Sequence, residues 1–418
     1  MTAVTTAPST PAADARPEAP ARFPLDPLRA VAALSVVMFH VFQYEFGDIN
    51  VASAQVAPLR FLTVVSSAAV DLFFVISGFL LYLSVARAGF AGRPGRSAGL
   101  TLLRRMARLY PLYAAIVLVV WGVSNTRLPG VWQDLVLHLT MTQIYSQEYI
   151  FWTNGPAWSL AVEFHFYVLI ALAMPVLAAA CRRRVTVAAR TRVLLVLPAL
   201  LAVGGLGWLS WSILVTRTPV THWPTWFGFP AKAPMFAAGM VMAVLTVRGV
   251  RIRSRAVRTT SVAVGGALAV LALVYGTTHG AEGPAHEWYH LLYLAIGVLT
   301  IGPVVLSPDR PARGLTWRPL VFLGTVSYGI YLLHEPVLRL TGHLGLLPTD
   351  DADTLTVVLG WLLVSTIAVV GAWASSILLE GPALKLLAMF DPDGRPREYY
   401  PHLAAPAPRR MPSPRPAR

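Results

Sequence analysis

The feature that most constrains this chain is a run of membrane length, residues 27–46, in which the ionisable side chains Arg29 and His40 lie among apolar residues. Ionisable side chains are costly in a membrane segment and are by default candidates for function. The eleven steps from Arg29 to His40 correspond to a rise of about 16 Å along an α-helix. The run therefore predicts one helix with a cation near one face of the bilayer and a titratable imidazole deep inside it.

The composition is typical of a multi-pass membrane protein. Of the 418 residues, 56% are hydrophobic and 13% are charged, which is unlike a soluble domain. We predict an all-α polytopic bundle of about ten transmembrane helices. The apolar runs that predict these helices are residues 27–46, 63–86, 108–124, 157–180, 193–215, 233–248, 258–276, 288–306, 320–341 and 354–379.

The charge pattern predicts the orientation of this bundle. The chain has a formal net charge of +14, and arginines cluster in every second predicted loop while acidic residues collect in the others. Basic loops remain in the cytoplasm, so both termini are predicted to be cytoplasmic. The same loops account for the positive charge, and no nucleic acid partner is expected. Abundant Arg, Ala and Pro with little Lys are typical of a high-G+C bacterial genome, which predicts a bacterial plasma membrane.

Three segments are predicted along the chain. Residues 1–21 are rich in Ala, Pro and Thr and predict a disordered leader without a cleavable signal. Residues 22–390 form the transmembrane domain, and residues 391–418 form a disordered basic tail rich in Pro and Arg. The stretch from Trp132 to Ile144 predicts an interfacial or re-entrant segment. The predicted loops cannot hold a soluble catalytic domain, so the chemistry must take place within the bundle.

Four titratable residues fall at a similar predicted depth, namely His40, Asp71, Glu163 and His334. An isolated charge at that depth costs at least about 2.5 kcal/mol, so we expect these groups to face a common cavity. A carboxylate of Asp71 or Glu163 that accepts a hydrogen bond from His40 would orient the imidazole and raise its basicity. The alternative for each residue is a structural hydrogen bond between helices.

Two arginines predict an anion site at the opposite face. Arg105 and Arg108 are three residues apart, on one side of a predicted helix start at the cytoplasmic surface. Guanidinium groups in this arrangement can bind phosphates in a bidentate manner. The alternative is that they only set the topology, as arginines in cytoplasmic loops commonly do.

Five sequence blocks stand out in order along the chain. They are Phe23 to Ala30 followed by His40, Asp71 to Phe79, Arg104 to Tyr113, Trp158 to Tyr167, and Ser327 to Pro336. In these blocks and their order the chain resembles the acyltransferase-3 family of integral membrane O-acyltransferases, over about residues 22–382.

The resemblance implies an enzyme that moves an acyl group, commonly acetyl, from cytoplasmic acyl-CoA to a hydroxyl of a carbohydrate, a cell-envelope glycan or a glycosylated natural product. In that family the pair matched here by Arg29 and His40 is treated as essential. The pair matched by Arg105 and Arg108 is associated with coenzyme A. The implied co-substrate is acyl-CoA, with acetyl-CoA as the leading candidate, and no metal is expected.

A mechanism follows as a hypothesis. His40 would take the proton of the acceptor hydroxyl as general base, and Asp71 or Glu163 would orient it. The substrate or the oxyanion would be bound by residues taken from the matching blocks, namely Trp158, Ser159, Tyr328 and His334. A route through an acyl-enzyme intermediate remains open.

Several alternatives remain. The same buried groups would suit a proton-coupled transporter that exports a sugar or an antibiotic. No metal-ligand spacing stands out among the histidines, and His286 and His290 are expected to face water in an outer loop. Lys232 is placed in an outer loop as well. The loop tryptophans, including Trp223 and Trp226, either stack on a sugar or simply mark the membrane interface.

Overall fold

The computed structural model describes residues 23–46, 60–92, 97–279, 289–307, 312–347 and 353–390, and these residues contain helices and no strand. The predicted leader, residues 1–21, and the predicted tail, residues 391–418, lie outside the described residues. In chain order the helices are α1 (Asp26–Phe46), α2 (Arg60–Ala91), α3 (Ala98–Ser124), α4 (Trp132–Leu139), α5 (Ala157–Arg182), α6 (Val187–Ser210), α7 (Trp223–Phe227), α8 (Phe229–Val247), α9 (Arg255–His279), α10 (Tyr289–Val305), α11 (Arg318–Thr325), α12 (Ser327–His343), α13 (Thr354–Ser375) and α14 (Gly381–Met389).

The all-helical, multi-pass architecture is confirmed. Each predicted apolar run coincides with helical residues of the described chain, and the run at residues 320–341 is divided between α11 and α12. Seven helices are long and apolar enough to cross a membrane, or up to eight if α11 and α12, which meet at a bend of 69°, form one span. The count of ten spans and the location of the termini stay predictions. One reason for the lower count is that α10 has only 17 residues.

Helix α3 is longer than the sequence pattern predicted. It begins at Ala98, ten residues before the predicted start at residue 108. Leu102 and Met106 pack against the main hydrophobic core, so the apolar face of the helix continues before the arginines. The prediction that Arg105 and Arg108 lie at a helix start on the surface was therefore wrong. Both lie inside the helix, and Arg108 is only 8% exposed.

The segment predicted to be interfacial or re-entrant is a short helix, α4, followed by a 3-10 turn over Gln143–Tyr145. Buried polar contacts attach it to its neighbours. The His138 ring lies 2.9 Å from the Asp134 carboxylate, and the Thr153 hydroxyl donates to the same carboxylate. The Tyr113 hydroxyl of α3 donates to the His138 carbonyl at 2.7 Å. These contacts fix a short segment that cannot itself span a bilayer.

Helices α2 and α8 pack with their backbones close together because glycines lie at the crossing. A Cβ atom on Gly239 would overlap the Val75 carbonyl oxygen and lie 2.6 Å from the Phe79 nitrogen. A Cβ atom on Gly78 would overlap the Phe236 backbone in the same way. Small residues allow such close approach between membrane helices. The crossing brings the middle of α8 against the middle of α2.

One helix start lies outside the apolar runs and is capped by a carboxylate. Asp353 precedes α13 and accepts hydrogen bonds from the hydroxyl and the backbone N–H of Thr356, the latter at 2.8 Å. These two donors lower the pKa of Asp353 below its ordinary value. An N-terminal cap of this kind satisfies backbone donors that the helix leaves unpaired.

Candidate active site

Most of the candidate residues line one of two cavities in the described part of the helix bundle. The smaller, about 50 Å³, is called here the arginine cavity, and its polar lining residues are Arg29, Ser77, Arg105, Arg108, Ser159, Glu163, Tyr167, Ser327, Tyr328 and Tyr331. The larger, about 780 Å³, is called the aromatic cavity, and its aromatic lining residues include Phe39, Tyr44, Phe151, Trp158, Trp223, Trp226, Phe227, Tyr289, Tyr293 and Tyr331. Helices α1, α2, α5 and α12 each contribute residues to both cavities.

The order of these residues along each helix shows that the cavities are stacked end to end. Helix α1 contributes Arg29 to the arginine cavity and, further along, His40 to the aromatic cavity. Helix α2 runs the opposite way, with Asp71 in the aromatic cavity and Ser77 in the arginine cavity. Helix α12, like α1, reaches the arginine cavity first and the aromatic cavity later in the chain. Helix α5, like α2, reaches the aromatic cavity first. The helices that line the site therefore alternate in direction, as a multi-pass bundle requires.

The arginine cavity carries an excess of positive charge. Three guanidinium groups, those of Arg29, Arg105 and Arg108, face one carboxylate, that of Glu163. Neither Arg29 nor Arg105 forms an ion pair with an acid of the described chain. The guanidinium of Arg105 lies over the Tyr167 ring, 5.6 Å from its centre, which leaves its N–H groups available. A partly buried cavity with this balance suits a multiply charged anion.

Glu163 belongs to the arginine cavity and not to the environment of His40. Its carboxylate accepts hydrogen bonds from the hydroxyls of Ser77 and Tyr167. The expectation that all four titratable residues face a common cavity was therefore wrong for Glu163, and also for His334, which is not among the lining residues of either cavity. Counting residues along a helix predicts how deep a side chain lies in the bundle, but it does not predict which cavity the side chain faces. On α5 the boundary between the two cavities falls between Trp158 and Glu163.

His40 lies at the wall of the aromatic cavity, with one ring nitrogen already engaged. Its Nδ1 lies 2.9 Å from the Val36 carbonyl oxygen and 3.2 Å from Nε2 of His334. A carbonyl oxygen only accepts, so Nδ1 carries a proton, and in the neutral imidazole Nε2 then keeps its lone pair. Nε2 has no hydrogen-bond partner among the described residues. The geometry therefore leaves Nε2, the basic nitrogen of the neutral ring, available to a ligand.

The prediction that Asp71 or Glu163 would pair with His40 was wrong. The acidic residue closest to His40 is Glu335, which lies on α12 next to His334. Its carboxylate accepts from Arg339 at 2.9 Å. His334, which has no exposed surface, is the direct partner of His40 instead. An imidazole and a backbone carbonyl thus orient His40 where a carboxylate was expected.

Asp71 forms a different cluster in the aromatic cavity. Lys232 Nζ lies 3.2 Å from Asp71 Oδ1, and His290 Nδ1 lies 3.1 Å from Oδ2. The Lys232 ammonium also lies 5.4 Å from the centre of the Trp158 ring. Lys232 is 2% exposed, so the expectation that it lies in an outer loop was wrong. The carboxylate and the ring stabilise its charge inside helix α8.

His290 was expected to face water with His286, and this was wrong for His290, because its ring lies against Asp71 and Lys232. His286 lies outside the described residues. Sequence reasoning missed this cluster because its members are far apart in the chain, with 161 positions between Asp71 and Lys232. The available signal was that Lys232 is one of two lysines in the sequence.

Three metal-capable side chains meet beside the aromatic cavity. His40, His334 and Glu335 each offer one ligand atom, and these three atoms lie within 4.8 Å of one another. The hydrogen bonds described above already use the Nδ1 proton of His40 and the carboxylate of Glu335, which contacts Arg339. The donor set therefore fits a hydrogen-bonded imidazole pair better than a metal centre.

The four residues expected to bind the substrate or the oxyanion have different environments. Trp158 lines the aromatic cavity, and its indole N–H has no hydrogen-bond partner in the described part of the chain. Ser159 donates to the Tyr331 hydroxyl at 2.8 Å, and Tyr328 donates to the Leu109 carbonyl. His334 is buried behind His40. Of the four, Trp158 alone combines a place in the aromatic cavity with an available donor.

This arrangement defines a multi-pass membrane protein with a two-part site, in which a cationic cavity and an aromatic cavity follow one another along the helices. The chain belongs to the family described as "Acyltransferase domain", which matches residues 24–377. The predicted resemblance to membrane acyltransferases is thus confirmed. The transporter alternative is not favoured.

Individual relatives agree with this assignment. The chain is 28% identical over 381 residues to Acyltransferase MdmB of Streptomyces mycarofaciens, a match that covers 86% of this chain and 91% of that protein. It is 24% identical over 343 residues to Peptidoglycan O-acetyltransferase OatA of Listeria monocytogenes, covering 76% of this chain and 49% of that protein. It is 25% identical to Putative peptidoglycan O-acetyltransferase YrhL of Bacillus subtilis, of which the match covers 48%. The chain thus spans about half the length of the last two relatives. No solved structure matches.

Proposed function

We propose that this protein is an O-acyltransferase of a bacterial plasma membrane that transfers a short acyl group, acetyl first, from acyl-CoA to a hydroxyl of a carbohydrate or glycosylated acceptor. One observation carries the proposal. A cavity suited to a polyanion lies end to end with a larger aromatic cavity, and His40 faces the second of these. The cytoplasm would be on the side of the arginine cavity, because the arginine-rich loops follow the helices that end there.

The donor is assigned to the arginine cavity by its charge. Coenzyme A carries several phosphate charges at one end and the thioester at the end of a long flexible arm. Arginine binds phosphate through paired N–H donors better than lysine does. Arg29, Arg105 and Arg108 would hold the phosphate end near this cavity, while the arm extends along the bundle toward His40. About 16 Å of helix separates Arg29 from His40, which is within reach of an extended arm.

The acceptor is assigned to the aromatic cavity by its shape and lining. Its volume of about 780 Å³ lies within the usual range for small-molecule sites. Aromatic rings such as those of Trp223 and Trp226 offer flat apolar faces, and these suit the C–H faces of a sugar. The charges in its lining are paired with one another, Lys232 with Asp71 and Arg339 with Glu335. A polar acceptor without a large net charge fits this lining.

The chemistry requires one base and one oxyanion donor. His40 Nε2 takes the proton of the acceptor hydroxyl while that oxygen attacks the thioester carbon. The carbonyl oxygen gains negative charge and accepts a hydrogen bond from the Trp158 indole N–H. The carbon–sulfur bond then breaks, the ester is released, and the coenzyme A thiolate takes up the proton held by His40. No net proton is gained or lost by the protein.

The test uses the full-length protein in liposomes with labelled acetyl-CoA and a panel of sugars and glycosides. His40→Gln removes the base but keeps the side-chain polarity, so transfer should fall by about 10²-fold or more while coenzyme A binding is retained. His165→Gln is the matched control. Its imidazole lies 2.7 Å from the Ala161 carbonyl oxygen and lines neither cavity, so transfer should be unchanged.

Full transfer by His40→Gln would contradict the assignment of the base. A wild-type protein that binds no coenzyme A would contradict the donor assignment. A carrier would move an acceptor across the membrane and leave the label on coenzyme A, and that result would favour transport.

A further inference from the structure

One tyrosine stands between the two cavities. Among the described residues, Tyr331 is the residue that lines both the arginine cavity and the aromatic cavity. It lies on α12, one turn after Tyr328 in the arginine cavity and one turn before Glu335 in the aromatic cavity. Tyr331 is 5% exposed, so its side chain is tightly packed at the place where it borders both cavities.

The Tyr331 hydroxyl holds the ring in this position. It accepts a hydrogen bond from the Ser159 hydroxyl at 2.8 Å and donates one to the Pro156 carbonyl at 3.0 Å. Both partners belong to the start of α5. The ring packs edge-on against Phe73, with centroids 5.9 Å apart. The hydroxyl thus links α12 to α5 across the boundary between the cavities.

This boundary matters for the proposed reaction, on which the inference rests. The arginine cavity, at about 50 Å³, is too small to hold both the thioester and an acceptor. The thioester must therefore pass Tyr331 to reach His40. The aromatic cavity is large enough to hold many water molecules, and a thioester that entered it without an acceptor would meet water beside a general base. Water would then attack the thioester carbon, and free carboxylic acid and coenzyme A thiol would form.

We propose that Tyr331, held by Ser159, is a positioning and specificity-determining residue that separates the donor thioester from the water of the aromatic cavity until an acceptor is bound. The two hydrogen bonds of its hydroxyl set how readily the ring moves aside. Loss of the hydroxyl should admit the thioester more often and raise hydrolysis relative to transfer. The initial binding of coenzyme A should be little affected, because the phosphate-binding arginines are untouched.

The first experiment measures coenzyme A release from acetyl-CoA without an acceptor. Tyr331→Phe keeps the ring and removes the two hydrogen bonds, so hydrolysis should rise by about fivefold to tenfold, with little change in the Kd for coenzyme A. Tyr82→Phe is the control. It removes a buried hydroxyl that donates to the Leu194 carbonyl at 2.7 Å and lines neither cavity, so hydrolysis should stay at the wild-type rate. Equal hydrolysis by Tyr331→Phe and the wild type would overturn the proposal.

A second experiment follows the arm itself and needs no turnover. Leu80→Cys, which lines the arginine cavity, and Val70→Cys, which lines the aromatic cavity, are placed on α2 in a protein with Cys181→Ala, which has no other cysteine. Each is treated with coenzyme A disulfide. The introduced thiolate attacks one sulfur, a mixed disulfide forms and coenzyme A thiol leaves, and intact-mass spectrometry reports the adduct.

We expect the adduct at Leu80→Cys to form at a rate that does not depend on Tyr331. The adduct at Val70→Cys should form slowly with Tyr331 present and about fivefold or more faster with Tyr331→Phe. Equal rates at Val70→Cys in both backgrounds would overturn the role of Tyr331 and leave the donor site intact. No adduct at either position would overturn the donor site itself, and the proposal with it.

Discussion

At the scale of single residues, the site depends on which group each histidine and arginine contacts. His40 is useful as a base only because Val36 and His334 occupy its Nδ1 and leave Nε2 free in the described chain. The arginines are useful as an anion site only because they outnumber the one carboxylate of their cavity. These two conditions are independent, so they can be tested separately.

Removing an arginine should affect the donor and not the acceptor. Arg105→Ala takes away a guanidinium that forms no ion pair with an acid of the described chain. A hydrogen bond to a charged group contributes about 1.5–3 kcal/mol, so the KM for acyl-CoA should rise by about tenfold or more. Arg105→Lys keeps the charge but loses paired donors, and it should recover only part of this loss. Arg87→Ala, an exposed arginine on α2 that lines neither cavity, serves as the control.

Steady-state kinetics with acyl-CoA as the varied substrate measure the effect. An unchanged donor KM in Arg105→Ala would leave this residue with a role in topology alone. A change confined to the acceptor KM would place the acceptor, and not the donor, beside α3.

The sequence predicted which residues line the two cavities better than it predicted their partners. Arg29, His40 and Asp71 were identifiable as candidates because ionisable side chains in apolar runs are rarely without function. Their partners were not, because the contacts join distant parts of the chain. His334 lies 294 positions from His40, and no local pattern indicates which of several buried groups will meet it. Tyr331 was missed because a buried aromatic residue in an apolar helix looks like any other core residue.

At the scale of helices, local periodicity gave the positions of the spans, but side-chain packing set their ends. The apolar face of α3 extends beyond the run that predicted it, and α11 and α12 meet at a 69° bend where one continuous span was expected. Neither feature can be predicted from hydropathy, because a hydropathy value is averaged over a window of many residues and so hides both the exact start of a helix and a bend within an apolar run. The close crossing of α2 and α8 is another feature that only tertiary packing reveals, and it places Lys232 beside Asp71.

This crossing should be sensitive to one added methyl group. Gly239→Ala would put a Cβ atom into the Val75 carbonyl and the Phe79 nitrogen, so α8 must move away from α2. Overpacking of this kind costs about 1–3 kcal/mol, and the Tm in detergent should fall by several degrees. Gly204→Ala on α6 is the control, because its Cβ atom would meet nothing within 4 Å. Equal Tm values for the two variants would show that the crossing tolerates separation.

At the scale of the whole molecule, the direction of each helix shows which cavity lies nearer to which end of the bundle, and hence which side of the membrane each cavity would face. Helices that alternate in direction place every loop at one of two ends. The arginine cavity lies toward the end where the α2–α3 connection is found, and the aromatic cavity lies toward the end of the α3–α4 connection. The distribution of arginines among the predicted loops predicts which of these two ends is cytoplasmic.

Cysteine labelling should determine this orientation. In a protein with Cys181→Ala, Ser97→Cys marks the exposed connection between α2 and α3, and Thr126→Cys marks the exposed connection between α3 and α4. Since arginine-rich loops stay in the cytoplasm, a membrane-impermeant maleimide added to intact spheroplasts should label Thr126→Cys and leave Ser97→Cys unlabelled. Ser97→Cys should react once the membrane is permeabilised, which controls for its accessibility. The reverse pattern would place the arginine cavity outside the cell, where no coenzyme A is supplied, and would contradict a cytoplasmic donor while leaving the fold unchanged.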